Sequence, residues 1–188
     1  MSTSALAPSS SAVEKAQQLQ NRLYFILEKL QTLARDLPSK YQQRINLDLL
    51  SGIANCLLHD TIFEIVKGLK EIQDVTEKHL FQTRLQLLET HRVQRQHQKD
   101  KDGKNPTYEK EKLKLVARQK LEVKQNDMKI AMQLDQKVSD QQVMLEKAGV
   151  PGFFVSNNAA DIRLQMYLLE FILKLSVMPL PQVSLDDS

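Results

Sequence analysis

The segment DGKNP, residues 102–106, separates two long runs of sequence in which apolar side chains recur at helical spacing. The first run extends from about Thr61 to Leu88 and the second from about Leu113 to Ala148. Gly and Pro interrupt helices, so this arrangement predicts a helix, a reversal of the chain and a second helix. Two antiparallel helices joined in this way form a helical hairpin.

The far end of the predicted hairpin is charged and has almost no apolar side chains. Between about residues 89 and 112, only Val93 and Tyr108 are apolar. A tip with so little to bury should be solvated or partly disordered. Side-chain charge pairs, such as Glu109 with Lys112, are expected to support its helices.

The composition indicates an all-α protein. The chain of 188 residues has 5 Gly and no Trp, and it is rich in Leu, Gln, Lys and Glu, which favour helices. This length suits one domain. We therefore predict a helical bundle of about five helices over residues 11–178, with a long, antiparallel, coiled-coil-like hairpin. A disordered tail at residues 1–10 and a polar tail at residues 179–188 should flank it.

A heptad-like stripe lies near the start of the chain. Its apolar residues alternate steps of three and four, which places them on one side of a helix that Pro38 ends. The stripe contains Ala16 and the six residues of a candidate helix-association seam, Leu19, Leu23, Ile26, Leu30, Leu33 and Leu37. Such a seam fits either a homodimer or a helix packed within its own chain, and the pattern alone does not choose between them.

Two more helices complete the predicted bundle. A short one with a broad apolar face follows Pro38-Ser39, and the last one begins after a cap at Asn157 or Asn158. Between the hairpin and the last helix, Gly149 suits the left-handed position that ends a helix. The apolar residues that follow are expected to fold back as a plug, and they are Val150, Phe153 and Phe154.

No group of residues has the pattern of a catalytic, cofactor or metal site. The glycines are not spaced as a phosphate-binding loop. His91 and His97 are six residues apart, which puts them on different faces of a helix, and no neighbouring ligand completes a tetrahedral set. We therefore expect all four histidines, His59, His79, His91 and His97, to be exposed on helix surfaces. Cys56 lies among apolar residues and is expected to be a buried, inert thiol. The prediction is a protein that is not an enzyme and needs no cofactor.

The basic residues near the tip are the candidate contacts for phosphates or for an acidic partner. They are Arg92, Arg95, Lys99, Lys101 and Lys104. Nucleic-acid binding through them is the alternative function. However, the lysines alternate with Asp100 and Asp102, and only Tyr108 could stack on a base. A solvated helical tip is the simpler interpretation, and a nucleic-acid partner is not favoured.

The sequence also predicts a compartment. Cys56 is the only cysteine, so no disulfide can form within the chain. Residues 1–8 lack the basic and apolar segments of a secretory signal. The most apolar run, Leu164–Val177, is shorter than a membrane span and contains Glu170 and Lys174. We expect a protein of the nucleus, the cytoplasm or both, neither secreted nor inserted in a membrane.

Several blocks of the sequence closely resemble one family. They are LPSKYQQRINLDLL (residues 37–50), TIFEIVKGLKEIQDVTEKHLFQTRLQLLETHRVQR (61–95), LDQKVSDQQVMLEKAGVPGFFVSNN (134–158) and LQMYLLEFILKL (164–175). The family is the gonadal family, also called the DiGeorge syndrome critical region six family. The resemblance covers about residues 20–175 and leaves out the tip at residues 96–112.

The resemblance implies a coiled-coil-containing protein without catalytic residues or cofactors. Its vertebrate members are described as predominantly nuclear, and the family is linked to development, through gonadal expression in insects and neural crest migration in vertebrates. Adhesion-related and membrane-receptor partners have been suggested. With the helical pattern, this predicts a non-enzymatic interaction protein, an adapter or regulatory component, that binds protein partners through helical surfaces.

Overall fold

The computed structural model describes residues 10–183 and contains six helices in that range. They are α1 Ser10–Arg35, α2 Ser39–Gln42, α3 Leu47–Cys56, α4 Thr61–Asp102, α5 Tyr108–Lys147 and α6 Ala159–Ser176. No strand occurs in these residues, so the predicted all-α class is confirmed. Of the two predicted tails, residues 1–9 and 184–188 lie outside the described residues.

The helices are distributed over two compact units. One unit contains the chain up to Gly68 together with the part from Gln141 onwards, and the other is Leu69–Asp140. The first holds α1, α2, α3, α6 and the adjoining ends of α4 and α5, whereas the second holds the rest of α4 and α5. We call the second unit the hairpin.

The apolar core of the first unit forms where α1 packs against α3 and α6. Side chains from five helices are fully buried there, and this explains the broad apolar faces of α3 and α6. The largest of them are Ile26 and Leu30 on α1, Ile53 on α3, Leu57 after it, Val66 on α4, Leu145 on α5, and Leu168, Ile172 and Leu175 on α6.

The single helix predicted after Pro38-Ser39 is wrong, because the chain forms α2 and α3 with a break between them. Asn46 causes this break. Its backbone is extended, and its side-chain oxygen accepts a hydrogen bond from the Leu49 amide at 2.8 Å. This is the contact of a helix N-cap, which favours a new helix start over a continued helix.

The turn between α5 and α6 mostly follows the prediction. Gly149 has φ of +74°, the left-handed conformation expected of it. Val150 and Phe153 are buried as the predicted plug, but Phe154 is 44% exposed, so the plug lacks its third residue. Of the two predicted caps, Asn157 and Asn158, the structure uses Asn158. Its side-chain oxygen accepts a hydrogen bond from the Ala160 amide at 2.8 Å.

Two buried glutamines hold this turn in place. The Gln142 side chain on α5 donates to the Ser156 carbonyl at 3.0 Å and accepts from the Ser156 amide at 3.2 Å. It also donates to Gln165 on α6 at 2.9 Å, and Gln165 donates to the Phe154 carbonyl at 2.9 Å. Since unpaired polar groups are costly to bury, each amide is placed where backbone groups satisfy it.

The first unit should be sensitive to acid through Asp161. The pKa of this carboxyl is lowered, first by the hydrogen bond from Arg44 at 2.6 Å and then by that from Ser156 at 2.8 Å. Because the pKa is lower in the folded chain than its unfolded value of about 3.9, the ionised group stabilises the fold above that value. The contribution is lost as the pH falls through the folded-state pKa.

We therefore expect Asp161→Asn to lower the free energy of unfolding at pH 7, with a difference from wild type that shrinks below about pH 4. Urea denaturation at a series of pH values measures this. Asp36→Asn is the control, because the Asp36 side chain is exposed and makes no ion pair within the described range. A constant difference across the pH series would contradict the assignment.

In the hairpin, side-chain hydrogen bonds join the two helices in antiparallel order. Arg84 bonds to Asp127 at 2.7 Å, His91 to Glu122 at 2.8 Å and Arg95 to Gln119 at 2.6 Å. As the residue number rises on α4, that of the partner on α5 falls, which is the predicted direction. The coiled-coil-like character stays a prediction.

The hairpin tip is helical almost to its end. Only residues 103–107 separate α4 from α5. The side chains of the tip are mostly exposed, which fits the solvated alternative of the prediction. The predicted Glu109–Lys112 ion pair is present at 3.3 Å. In the turn, the Asn105 side chain accepts hydrogen bonds from the Thr107 amide at 3.1 Å and its hydroxyl at 2.9 Å. Local pairs of this kind replace the missing apolar contacts.

In the part of the chain that the structure describes, no single helix is both long and apolar enough to cross a bilayer. The helices α3 and α4 reach the required length and apolar character only when they are taken together, as a pair that is bent at the break between them.

Candidate functional site

Polar side chains occupy part of the seam between the two hairpin helices, beside the buried Leu80. His91 on α4 and Gln119 on α5 are each only 2% exposed. Two turns before His91, Arg84 makes a two-point contact with Asp127, at 2.7 Å from Nε and 3.2 Å from Nη2. The contact raises the pKa of Arg84 and lowers that of Asp127, mainly through the hydrogen bonds. Polar groups thus occupy positions that Leu or Ile usually fills in a helix pair.

The prediction of an exposed imidazole is wrong for His91, although His59, His79 and His97 are exposed. His91 follows Leu80, Arg84 and Leu87 in steps of four, three and four, which is the spacing of one helix stripe. This register was the signal that could have placed it in the seam. Its Nε2 lies 2.8 Å from a Glu122 carboxylate oxygen, and this polar partner permits its burial.

Gln119 links several groups at the same level of the hairpin. Its Nε2 donates to the His91 carbonyl at 3.2 Å and to the Gln94 side-chain oxygen at 3.0 Å. Its Oε1 accepts from Arg95 at 2.6 Å. Because the amide is fully used, it fixes the Arg95 guanidinium beside the seam.

An open groove lies beside this polar seam and encloses about 570 Å³. Its apolar lining is Leu85 and Leu88 from α4 and Val116 and Val123 from α5. Charged side chains at its margin are Glu89, Arg92, Arg95 and Lys120, and the buried His91 and Gln119 complete the lining. We call this surface the hairpin groove, and all of it belongs to the hairpin unit.

The structure divides the five predicted basic residues into two groups. Arg92 and Arg95 line the hairpin groove, whereas the three lysines do not. Arg92 binds both oxygens of Glu89, at 2.8 and 2.9 Å, and this contact raises the pKa of Arg92 and lowers that of Glu89. The side chains of the three lysines are exposed and make no hydrogen bond or ion pair with any described residue; the lysines are Lys99, Lys101 and Lys104.

Five of the six residues of the candidate helix-association seam lie on α1, and Leu37 follows the end of this helix at Arg35. Ile26 and Leu30 are completely buried in the isolated chain. The other four seam residues are half-buried, and they are Leu19, Leu23, Leu33 and Leu37. Burial of its centre favours the intramolecular interpretation, while the homodimer stays a prediction.

Cys56 is half-buried at the end of α3. Its Sγ donates to the Gly149 carbonyl at 3.6 Å, and burial raises the pKa of the thiol. A thiol with a raised pKa is protonated at neutral pH and is a weak nucleophile. Among the described residues, no three His, Cys, Asp or Glu side chains come together as metal ligands.

Comparison with known sequences identifies the family. A family model described as DiGeorge syndrome critical region 6 (DGCR6) protein matches residues 3–180. The chain belongs to this family. The DGCR6 family match covers both units and includes the hairpin groove.

Two curated relatives extend over nearly the whole chain. The chain is 43% identical to "Gonadal protein gdl" of Drosophila melanogaster over 177 residues, which is 90% of each sequence. It is 42% identical to "Protein DGCR6" of Gallus gallus over 178 residues, which is 88% of each sequence. No solved structure matches the chain.

Proposed function

We propose that this DGCR6-family chain is a non-enzymatic interaction protein, an adapter or regulatory component, that binds protein partners through the hairpin groove. One observation carries the proposal: because polar residues occupy the hairpin seam, apolar residues of both helices are left facing solvent. Leu85 is 47% exposed and Val116 is 42% exposed, and both line the groove. Grouped apolar side chains on a surface are typical of a binding site.

The chemistry of the described residues supports a binding role over a catalytic one. The half-buried Cys56 is held protonated, and His91 is enclosed between hairpin helices with its Nε2 already paired. Neither has the open, activated setting that nucleophilic or acid–base catalysis uses. We place the protein in the nucleus, the cytoplasm or both, and the names of its family and relatives support a developmental role.

Nucleic-acid binding is the weaker candidate. Of the five basic residues, Arg92 is neutralised by Glu89, whereas Arg95 is bonded to the neutral Gln119 and keeps its charge. The floor of the groove is aliphatic and offers nothing to a phosphate. The three lysines nearer the tip have no ion pair with a described residue, but Tyr108 is the single aromatic residue between residues 89 and 112 that could stack on a base.

Proximity labelling with the full chain in cells tests the proposal. Leu85→Glu places a charge in the groove, whereas Val75→Glu places the same charge on an exposed part of the same helix outside it. A partner recovered with wild type should bind the purified Leu85→Glu protein at least about tenfold more weakly, because a carboxylate is costly to desolvate. Val75→Glu should bind it as wild type does.

Circular dichroism of both variants is the control that checks whether their helices are intact. If the two variants lose the partner equally, or neither loses it, the groove is not the binding surface. A purified chain that turned over a small substrate in a thiol-dependent or metal-dependent way would contradict the non-enzymatic role.

A further inference from the structure

Resting on the proposed function, we infer that the occupant of the hairpin groove is a single amphipathic α-helix with acidic side chains beside its apolar stripe. The shape of the groove is the first reason. It runs between two antiparallel helices, and its lining on α4 extends from Leu85 to Arg95, about 15 Å at 1.5 Å per residue. A third helix of about three turns fills such a space.

The apolar lining gives the second reason. Leu85 and Leu88 are three residues apart on α4, and Val116 and Val123 are seven residues apart on α5. Both spacings place the two residues on one side of their helix, so each helix contributes two aliphatic side chains to the groove. Aliphatic side chains on two facing helices accept the apolar residues at positions i, i+3, i+4 and i+7 of an incoming helix.

The charge of the margin gives the third reason. It carries Arg92, Arg95 and Lys120 against the carboxylate of Glu89. Because Arg92 is paired with Glu89, the cations left for a ligand are Arg95 and Lys120. Gln119 holds the Arg95 guanidinium in place at 2.6 Å, so little side-chain freedom is lost when a carboxylate binds there. Lys120 is exposed and makes no ion pair or hydrogen bond with the described residues. The margin is therefore complementary to acidic groups that flank an apolar stripe.

The same charge argues against two other occupants. In a symmetric dimer through the groove, each copy would bring its basic margin towards that of the other, and like charges across an interface oppose association. The negative charge of a nucleic acid would complement the basic margin. Its phosphates, however, would make no apolar contact with the aliphatic side chains that line the groove. A helix that combines apolar and acidic residues satisfies both parts of the groove.

Fluorescence anisotropy with the full chain and designed peptides tests this inference. Two labelled amphipathic peptides of about 14 residues share one Leu stripe, and their flanking positions are all Glu or all Lys. At about 0.15 M salt, where screening acts beyond about 8 Å, the Glu peptide should bind at least about tenfold more tightly than the Lys peptide. Leu88→Glu should abolish binding of both.

A matched pair of variants locates the charge effect. Lys120→Glu should weaken the Glu peptide about fivefold or more and should strengthen the Lys peptide. Lys124→Glu makes the same change one helical turn away, outside the groove lining, and should leave the preference between the peptides unchanged. Neither lysine makes an ion pair with a described residue, so neither change removes a contact that supports the fold.

Several results would overturn the inference. Equal binding of the two peptides would show that the charged margin does not discriminate between acidic and basic ligands. Equal effects of Lys120→Glu and Lys124→Glu would show the same. A dimer in sedimentation that Leu88→Glu dissociates would make a second copy the occupant. If the peptides do not bind but Leu85→Glu still weakens binding of a cellular partner, the choice of occupant fails and the proposed function stands. If Leu85→Glu does not weaken binding of that partner, the proposed function fails.

Discussion

Replacing Leu30 by Ala is expected to lower the free energy of unfolding by about 2–5 kcal/mol. Leu30 is completely buried in the first unit, on the helix α1 that packs against α3 and α6. The substitution removes its apolar contacts and leaves a cavity that close-packed neighbours can fill only in part. Chemical denaturation followed by circular dichroism measures the loss.

Leu33→Ala is the matched control for this experiment. It makes the same change one helical turn later in the seam, where the side chain is only half-buried. Its cost should be less than half that of Leu30→Ala, since less apolar area is removed from contact. Equal losses at the two positions would mean that α1 is not buried on the side that the structure shows.

The same pair of variants bears on the homodimer interpretation. Sedimentation of Leu30→Ala should match that of wild type, because a side chain buried within the chain cannot reach a partner. If the half-buried part of the seam joins two copies, Leu33→Ala should instead shift the protein towards the monomer. A change of oligomeric state in Leu30→Ala, with the fold intact, would contradict the intramolecular packing.

Replacing Gly152 by Ala is expected to destabilise the first unit by about 2–5 kcal/mol, through two separate effects. Gly152 has φ of +85°, where an L-residue is strained by about 1–2 kcal/mol. An added Cβ would also lie 2.8 Å from Cδ1 of Leu168 and 3.0 Å from Cδ1 of Leu49. Leu168 is fully buried, so it has little room to move aside, and overpacking adds about 1–3 kcal/mol.

Gly149→Ala separates the two effects. Gly149 has a similar φ of +74°, but an added Cβ there meets nothing within 4 Å. Its substitution should therefore cost only the backbone strain of about 1–2 kcal/mol. Thermal or chemical denaturation of both variants gives the difference between them, which is the cost of the clash. Equal losses would show that Leu168 and Leu49 yield freely to the extra methyl group.

The elements that the sequence predicted correctly are those decided over short distances along the chain. The turn of the hairpin follows from Gly103 and Pro106, and the left-handed end of α5 follows from Gly149. The Glu109–Lys112 pair follows from a spacing of three residues on a helix. Helical periodicity, caps and local charge pairs involve neighbours within one or two turns, so a single sequence contains them.

The elements that it missed depend on partners distant in sequence. His91 looked like an exposed imidazole, but Glu122 and Gln119 enclose it from the other helix of the hairpin. No sequence pattern marks Gln142 or Gln165, but each is buried with the turn that it holds. A polar side chain is buried only if a suitable partner meets it, and no local pattern reports that partner.

The hairpin groove combines features that the sequence determines with features that depend on tertiary contacts. The sequence by itself determined an all-α chain, the positions of its main helices and the basic character of the region around Arg92 and Arg95. Only the tertiary structure decided that polar residues such as His91 and Gln119 are buried in the hairpin seam, and that Leu85, Leu88 and the valines of α5 line a surface beside it. The physical reason is that helix formation depends on local backbone hydrogen bonds. The choice of buried face depends instead on hydrogen bonds and packing between side chains of two helices that are distant in sequence.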